Sequence, residues 1–400
     1  MGLSFLGIGA SAETLFVKYI TSMRIGINTL AVNLEDFGGG VIYLYFLLKH
    51  LAKVDQQNEY FIFVSPKNKD KFTIGQKNFR EVICQINTTS RVKRVLYEQS
   101  FLPRLLRKYK IDIFHGPNNV LPLRTPCKSV MTIQYMFSFI MPGDYTPFYR
   151  RWYFNTLMRL SVRKADKIIS VSDDNKNQII RYLGIKESKI CIIYHGIDGS
   201  FSQEKNLKNV ETYKAKFGIN SEYILCVGNN VLNKNLDGLI KAFDYLKKQY
   251  SIPHNLVIVG NNGFSRKRQA WFHNVRSKHS NIIHTGYIDY KELPTLYSGA
   301  SAFVLPSFCE SFGIPLLEAM ACGAPIVTSN TFAMPEVVGD AGLLVNPYDF
   351  QEIGDAIYSL LKDKELREVL IKKGLERVKI FSWEKAAKQT LAVYQEVYKN

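Results

Sequence analysis

Leu305-Pro-Ser-Phe-Cys-Glu310-Ser-Phe-Gly313-Ile-Pro315-Leu-Leu-Glu318-Ala-Met-Ala-Cys-Gly323-Ala-Pro325 is the stretch that decides the reading of this chain. It leaves one apolar β-run, Ala302–Leu305, and enters another, Pro325–Thr328. Between them it reads as tight loop, helix and stop. Pro315 suits a first helical turn, where its missing N–H has no partner to lose. Gly323 suits the position just past the helix end, which favours a left-handed backbone. The loop Ser311–Ile314 therefore presents backbone N–H groups at a helix N-terminus, a place where phosphate or a polar sugar edge binds. Glu310 sits in that loop and Glu318 one to two turns into the helix, so the two carboxylates are expected to have different roles.

The same alternation runs outward in both directions. Arg24–Leu30, Tyr60–Val64, Ile111–His115, Ser129–Ile133, Lys167–Val171 and Lys189–Tyr194 read as strands in the first half. Helical patterns such as Val41–Lys53, Phe148–Arg163 and Asp174–Leu183 lie between them. Tyr223–Val227, Asn255–Val259, Asn281–Thr285, Ala302–Leu305, Pro325–Thr328 and Gly342–Val345 repeat the rhythm in the second half. Short apolar strands alternating with helices indicate parallel sheets covered on both faces. A chain of 400 residues is too long for one ordinary core. The expected fold is thus α/β, with two Rossmann-like doubly wound domains. Residues 1–22 form an extension before Met23-Arg24-Ile25-Gly26-Ile27, which reads as the true first strand. Residues 23–200 make the first domain and 201–381 the second. The break is expected in the polar, aperiodic stretch Gly199 to Asn220. Residues 382–400 form a closing helix with Ser382 as N-cap and Glu384 in its first turn, packing towards the first domain. Ligands of open α/β sheets bind beyond the carboxyl ends of the strands, which places the site in the cleft between the domains.

Composition narrows the class further. With 46% hydrophobic and 22% charged residues, the chain is of the globular type. Cys84, Cys127, Cys191, Cys226, Cys309 and Cys322 show no metal-like spacing and read as free thiols in a reducing compartment. The net charge of +17 is uneven, with 28 Lys+Arg against 15 Asp+Glu before residue 201 and 24 against 20 after it. An anionic membrane surface is the expected partner of the first half. The basic run Arg91 to Lys110 is its densest part. No apolar run approaches the roughly 20 residues of a membrane span, and Leu3 to Gly9 lacks the basic flank of a secretory leader. No nucleic-acid-binding module is visible, so nucleic acid is not an expected partner.

Glu310 and Glu318, eight apart and flanking Ser-Phe-Gly-Ile-Pro, resemble the Glu-x7-Glu motif of the family 4 retaining glycosyltransferases. That family is also called glycosyl transferases group 1 and is built on the GT-B fold. The resemblance covers nearly all of residues 23–398 and is strengthened by several matches in the right order. These are Gly38-Gly39-Gly40 after the first strand, His195-Gly196-Ile197-Asp198, and Val227-Gly228 followed by Lys234-Asn235. Pro335-Glu336-Val337-Val338-Gly339-Asp340-Ala341-Gly342 and Phe381-Ser382-Trp383 complete the set.

The resemblance implies roles position by position. Glu310 would contact the hydroxyls of the donor sugar, and the N–H groups of Phe312, Gly313 and Ile314 would line sugar and phosphate. Glu318 would hold the ribose hydroxyls, Lys234 would pair with the diphosphate, and Ile288 would meet the base through its backbone. Gly39 and Gly40 would approach the phosphate from the other domain, and Gly228 lies at the end of the Val-Gly strand. Lys234, the helix N-termini and the glycine loop can stabilise a leaving diphosphate without a metal, and no Asp-x-Asp pair is placed to hold one. Two positions depart from the family pattern. Gln134 stands where a histidine usually touches the donor sugar, and Asn229 where an arginine often adds a charge-assisted phosphate contact. His115, in Ile113-Phe114-His115-Gly116-Pro117-Asn118-Asn119, is expected to face the cleft and touch donor or acceptor, with turn capping as the alternative. His195 is expected to pack at the interdomain crossing. The aromatic stretch Tyr135–Pro142 and Tyr145–Tyr153, ending in Arg150-Arg151, is the candidate acceptor or lipid contact.

The implied activity is metal-independent, retaining transfer of a hexose to a lipid-linked or polysaccharide acceptor. The donor is a nucleotide sugar, GDP-mannose first and a UDP-sugar next, and no further cofactor is expected. Several first-domain features look like bacterial mannosyltransferases of surface polysaccharide assembly. The alternative, prompted by Gln134 and Asn229, is a binding protein of the same fold with weak or no transfer. The expected location is cytoplasmic, peripheral on the inner face of the cell membrane.

Overall fold

A computed structural model describes residues 22–32, 38–72, 74–88, 90–141, 148–204, 207–261 and 266–400. The 1–22 extension, apart from its last residue, and the 142–147 part of the aromatic stretch lie outside the described residues. Among the described residues thirteen strands form two wholly parallel sheets. The first holds β1 (Arg24–Asn28), β2 (Glu59–Val64), β3 (Phe79–Ile83), β4 (Ile113–Gly116), β5 (Lys128–Ile133), β6 (Lys167–Ser170) and β7 (Ile190–Ile192), in the order 3-2-1-4-5-6-7. The second holds β8 (Tyr223–Val227), β9 (Asn255–Val259), β10 (Ile282–Gly286), β11 (Ala302–Leu305), β12 (Ile326–Ser329) and β13 (Gly342–Val345), in the order 10-9-8-11-12-13. Strand order reverses between β1 and β4 in one sheet and between β8 and β11 in the other. Such switch points open a crevice at the carboxyl ends of the strands, and both crevices face the same interdomain cleft.

The strands are apolar on both faces because helices cover both sides. In the first sheet Ile25 and Ile27 pack with Leu44, Leu47 and Leu51 of the Gly39–Val54 helix, while Phe61, Phe63 and Phe114 pack with Leu102 and Leu106 on the opposite side. The first of these cores continues into the second half through Phe46, Phe312 and Trp383. Trp383 opens the closing helix Trp383–Lys399, capped by Ser382, and its ring stacks on Phe46 at 5.7 Å. Ile197 bridges to Ser382. A Cβ on Gly196 would lie 2.0 Å from the Trp383 backbone nitrogen, so only glycine lets the two crossing segments touch. The closing helix therefore returns to the first sheet, as expected.

Two local features differ from expectation, and a third adds detail. Phe79–Ile83 is an additional strand; it sits at the sheet edge with only Val82 buried, so its sequence has no apolar run to announce it. Residues 207–217, read as aperiodic, form a helix with a sparse apolar stripe: Val210 is buried, and Tyr213 and Phe217 pack against the core. The basic run Arg91–Lys110 divides into two helices, Arg91–Ser100 and Leu102–Lys108. The former exposes Val92 and Leu96, and Phe101 between the two is also exposed.

Candidate active site

The helix Ile314–Ala321 begins with Pro315 in its first turn. Gly313 precedes it at φ +95, a backbone that a side chain strains, and a Cβ there would come within 3.0 Å of Leu316 Cδ1. This glycine turns the chain where Ser311, Phe312, Gly313, Ile314 and Pro315 line the cleft. Glu310 lies just upstream, nearly buried. Its Oε1 accepts from Ser307 Oγ at 2.8 Å and pairs with Lys234 Nζ at 2.7 Å. A half-buried lysine and a nearly buried carboxylate so placed stabilise one another, and removing either takes away the other's charge partner.

Lys234 is held there by its neighbours in sequence. The turn Leu232–Lys234 ends at Asn235, whose left-handed backbone lets its Oδ1 accept from Gly238 N while its Nδ2 donates to the carbonyls of Pro306 and Pro347. Phe308 N donates to the Asn233 carbonyl, and Asn233 Nδ2 to that of Cys309. Lysine loop and glutamate loop are thereby stitched together. Gly228 leaves room for the lysine stem: a Cβ there would sit 3.3 Å from Lys234 Cδ and Cε.

Glu318 is buried at the floor of the cleft. Tyr297 OH donates to its Oε2 at 2.7 Å. Burial pushes its carboxyl up to about 7, opposed by hydrogen bonds from Tyr297 and Tyr290.

The other wall comes from the first sheet. Gly38 caps the Gly39–Val54 helix in an extended conformation, and a Cβ on Gly39 would lie 3.8 Å from Ile314 Cδ1. Two helix N-termini thus converge across the cleft, each with a positive end. Gln134 follows β5; its N–H donates to Asn119 Oδ1 at 2.7 Å and its Nε2 to the Pro117 carbonyl at 3.4 Å. The cleft has a volume of about 400 Å³, within the range of small-molecule sites.

Of the residues singled out from the sequence, Glu310, Lys234, Gln134, Gly39, Gly40, Gly228, Asn229, Ile288, Phe312, Gly313, Ile314 and Glu318 all line this one cleft. Asn229 Oδ1 accepts from Asn261 N at 3.0 Å, so it braces the neighbouring loop. His115 is different, and the expectation of a cleft-facing histidine is corrected. It is fully buried, with Nδ1 2.7 Å from Tyr394 OH and Nε2 2.8 Å from Thr132 Oγ1, and does not line the cleft. Burial lowers its pKa to about 3, so it is a neutral link between sheet and closing helix. His195 does line the cleft, packed among Tyr43, Phe312 and Trp383.

Sequence reasoning missed the partners that hold these groups. Tyr297, Tyr290 and Ser307 carry no motif of their own. It also missed the direct ties between the halves. Glu336, in the Ala333–Val338 helix, accepts from Asp173 N at 2.7 Å and Asp174 N at 3.0 Å, capping the first-half helix Asp173–Leu183. Ser172 Oγ donates to the Ser311 carbonyl at 2.7 Å.

Two doubly wound sheets facing a cleft, with a C-terminal helix crossing back, constitute the GT-B arrangement of sugar-transferring enzymes. The sequence agrees: residues 209–377 match the profile described as "Glycosyl transferases group 1" and residues 37–201 that of "Glycosyltransferase Family 4". The chain is 34% identical over 293 residues to the O-antigen chain mannosyltransferase B of Escherichia coli, covering 72% of this chain and 76% of that one. It therefore belongs to the family 4 glycosyltransferases. It is also 28% identical over 298 residues, 73% of its length, to the serotype-specific mannosyltransferase WbdA of Escherichia coli, of which it spans 36%. Among solved structures, a sucrose-phosphate synthase from Thermosynechococcus elongatus shares the fold, with a TM-score of 0.78 at 21% identity over 94% of this chain and 99% of that one.

Proposed function

We propose that this glycosyltransferase moves mannose from GDP-mannose, with retention of configuration, to a lipid-linked or polysaccharide acceptor. The observation that carries the reading is the Lys234–Glu310 pair at 2.7 Å, set between two converging helix N-termini. On this reading the diphosphate lies between the N-termini and draws on Lys234. Glu310 accepts from hydroxyls of the sugar, Glu318 from the ribose, and the backbone at Ile288 meets the base. The bond from the anomeric carbon to the phosphate oxygen breaks as the acceptor hydroxyl attacks from the same face. The departing phosphate oxygen takes the acceptor's proton. Positive charge from Lys234 and the helix ends stabilises the leaving diphosphate, and no divalent ion is called on. Choice of mannose follows the two mannosyltransferase relatives.

Membrane association belongs to the same proposal. Among the described residues no helix is long and apolar enough to cross a membrane. Val92, Leu96 and Phe101 are exposed within the basic run, and Trp152 and Tyr153 are exposed on the Phe148–Lys164 helix. Apolar side chains among cations suit the interface of an anionic bilayer on the cytoplasmic face.

The test is release of GDP from GDP-mannose by wild type and by Glu310→Gln. Turnover of the variant is expected to fall by about 100-fold or more, the scale of one transition-state contact, with donor KM within a few-fold. Near-normal turnover in the variant would remove Glu310 from the chemistry, and release only from UDP-sugars would remove GDP-mannose.

A further inference from the structure

His195 combines three properties that packing does not explain together. It lines the cleft. Its ring stands edge-on to Phe312 at 4.8 Å, just before the Ile314–Ala321 helix, and 5.0 Å from Tyr43 in the second turn of the Gly39–Val54 helix, and so lies near both converging N-termini. Its Nδ1 is buried with no hydrogen-bond partner among the described residues. An aromatic cage of Tyr43, Phe312 and Trp383 would be filled as well by phenylalanine. Burying an unbonded ring nitrogen there costs stability that phenylalanine would not. The backbone on either side is fixed, since Gly196 touches Trp383 and Ile197 bridges to Ser382. The imidazole is thus held rigid and short of a partner beside the place where anionic charge is favoured.

We infer that His195 is a donor-binding residue that hydrogen-bonds a diphosphate oxygen of the bound nucleotide. The inference rests on the nucleotide-sugar reading of the cleft. Burial in the empty cleft holds the ring neutral, with a pKa lowered to about 3. A neutral imidazole still has one N–H to donate. It therefore adds a directed bond to the diphosphate without placing a second cation beside Lys234, and it leaves the site without a charge to desolvate.

Calorimetry of GDP and GDP-mannose binding to wild type, His195→Phe and His195→Gln tests this. His195→Phe keeps the aromatic packing and removes both nitrogens; its melting temperature is expected to equal or exceed that of wild type. Its affinity is expected to fall by about 10- to 100-fold, the scale of a hydrogen bond to a charged group, and equally for GDP and GDP-mannose. His195→Gln, which retains an amide donor, is expected to recover part of that loss. The ring ¹⁵N resonances of His195 in the wild type should move on adding GDP. Unchanged affinity in His195→Phe, or a loss confined to GDP-mannose, overturns the inference while leaving the donor reading in place. Failure of wild type to bind any nucleoside diphosphate overturns the donor reading itself and this inference with it.

Discussion

Replacing Glu318 by glutamine exposes what the floor of the cleft costs the empty enzyme. The carboxyl is buried and its pKa stands at about 7 against an ordinary 4.5. Between those two values the folded chain holds a proton that the unfolded chain has released. Stability contributed by this group is therefore fully present below pH 4.5 and is lost as pH rises towards 7. At about 1.4 kcal/mol per pH unit, the loss reaches about 3 kcal/mol by pH 7 and then stays level. Glutamine keeps an oxygen to accept from Tyr297 and has no proton to lose, so the variant lacks this slope. The stability of Glu318→Gln relative to wild type should accordingly rise by about 3 kcal/mol between pH 5 and pH 8, or about 6–12 °C in melting temperature for a domain of this size. Thermal melts of nucleotide-free protein at four pH values between 5 and 8 measure it. A difference that does not change with pH would refute the argument. On the proposed role, a ribose diol donates to the ionised carboxylate. Wild-type affinity for GDP should then weaken as pH falls below 7, and the variant should bind more weakly with little pH dependence.

Two further outcomes follow from contacts that the sequence did not announce. His115→Phe strips the partner from Tyr394 OH while Thr132 keeps Tyr43 at 3.0 Å; stability should drop by about 1–3 kcal/mol with kcat/KM of the folded enzyme within a few-fold of wild type, and a 100-fold fall in kcat/KM would return His115 to the chemistry. Glu336→Ala removes the carboxylate that caps the Asp173–Leu183 helix across the domain boundary; small-angle scattering should report a more open particle and donor KM should rise, and an unchanged scattering curve with unchanged KM would show that the tie does not hold the halves together.

What could be read from the sequence was what is local. Glu310, Gly313, Pro315, Glu318 and Gly323 lie within one strand–loop–helix unit, so their spacing alone announces a helix N-terminus with a carboxylate on each side. The doubly wound architecture was legible for a similar reason, since β-runs and helical patterns of ordinary length alternate along both halves. What failed was set by distant chain. His115 ends an apolar strand just as a cleft residue would, and its fate is decided by Tyr394, 279 residues away. Tyr297 meets Glu318 only because the helix before β11 packs behind the Ile314–Ala321 helix. Glu336 sits in a stretch recognisable as a motif, yet the N–H groups that it caps belong to the other sheet. Phe79–Ile83 and Leu207–Phe217 escaped because one lies at an edge and the other shows too few apolar residues to mark a period.

The ion pair lining the cleft suits the site to a charged ligand. A half-buried lysine and a buried glutamate each lose hydration, and the close pairing of Lys234 with Glu310 offsets that loss in the empty enzyme. On the proposed assignment, an arriving diphosphate replaces the carboxylate as the partner of Lys234. Glu310 then keeps Ser307 at 2.8 Å and turns its freed lone pairs to the sugar hydroxyls. On that exchange each charge trades one partner for another, which limits the desolvation that binding entails. The same exchange discriminates among ligands. Free mannose can offer Glu310 its hydroxyls but has nothing for Lys234, while a bare diphosphate satisfies the lysine and leaves the carboxylate short. On this assignment only a ligand carrying both groups engages the lysine and the carboxylate together. The diphosphate anchors the donor through Lys234, and the contact of Glu310 with the sugar counts most in the transition state, so Glu310→Gln lowers turnover while donor KM stays within a few-fold.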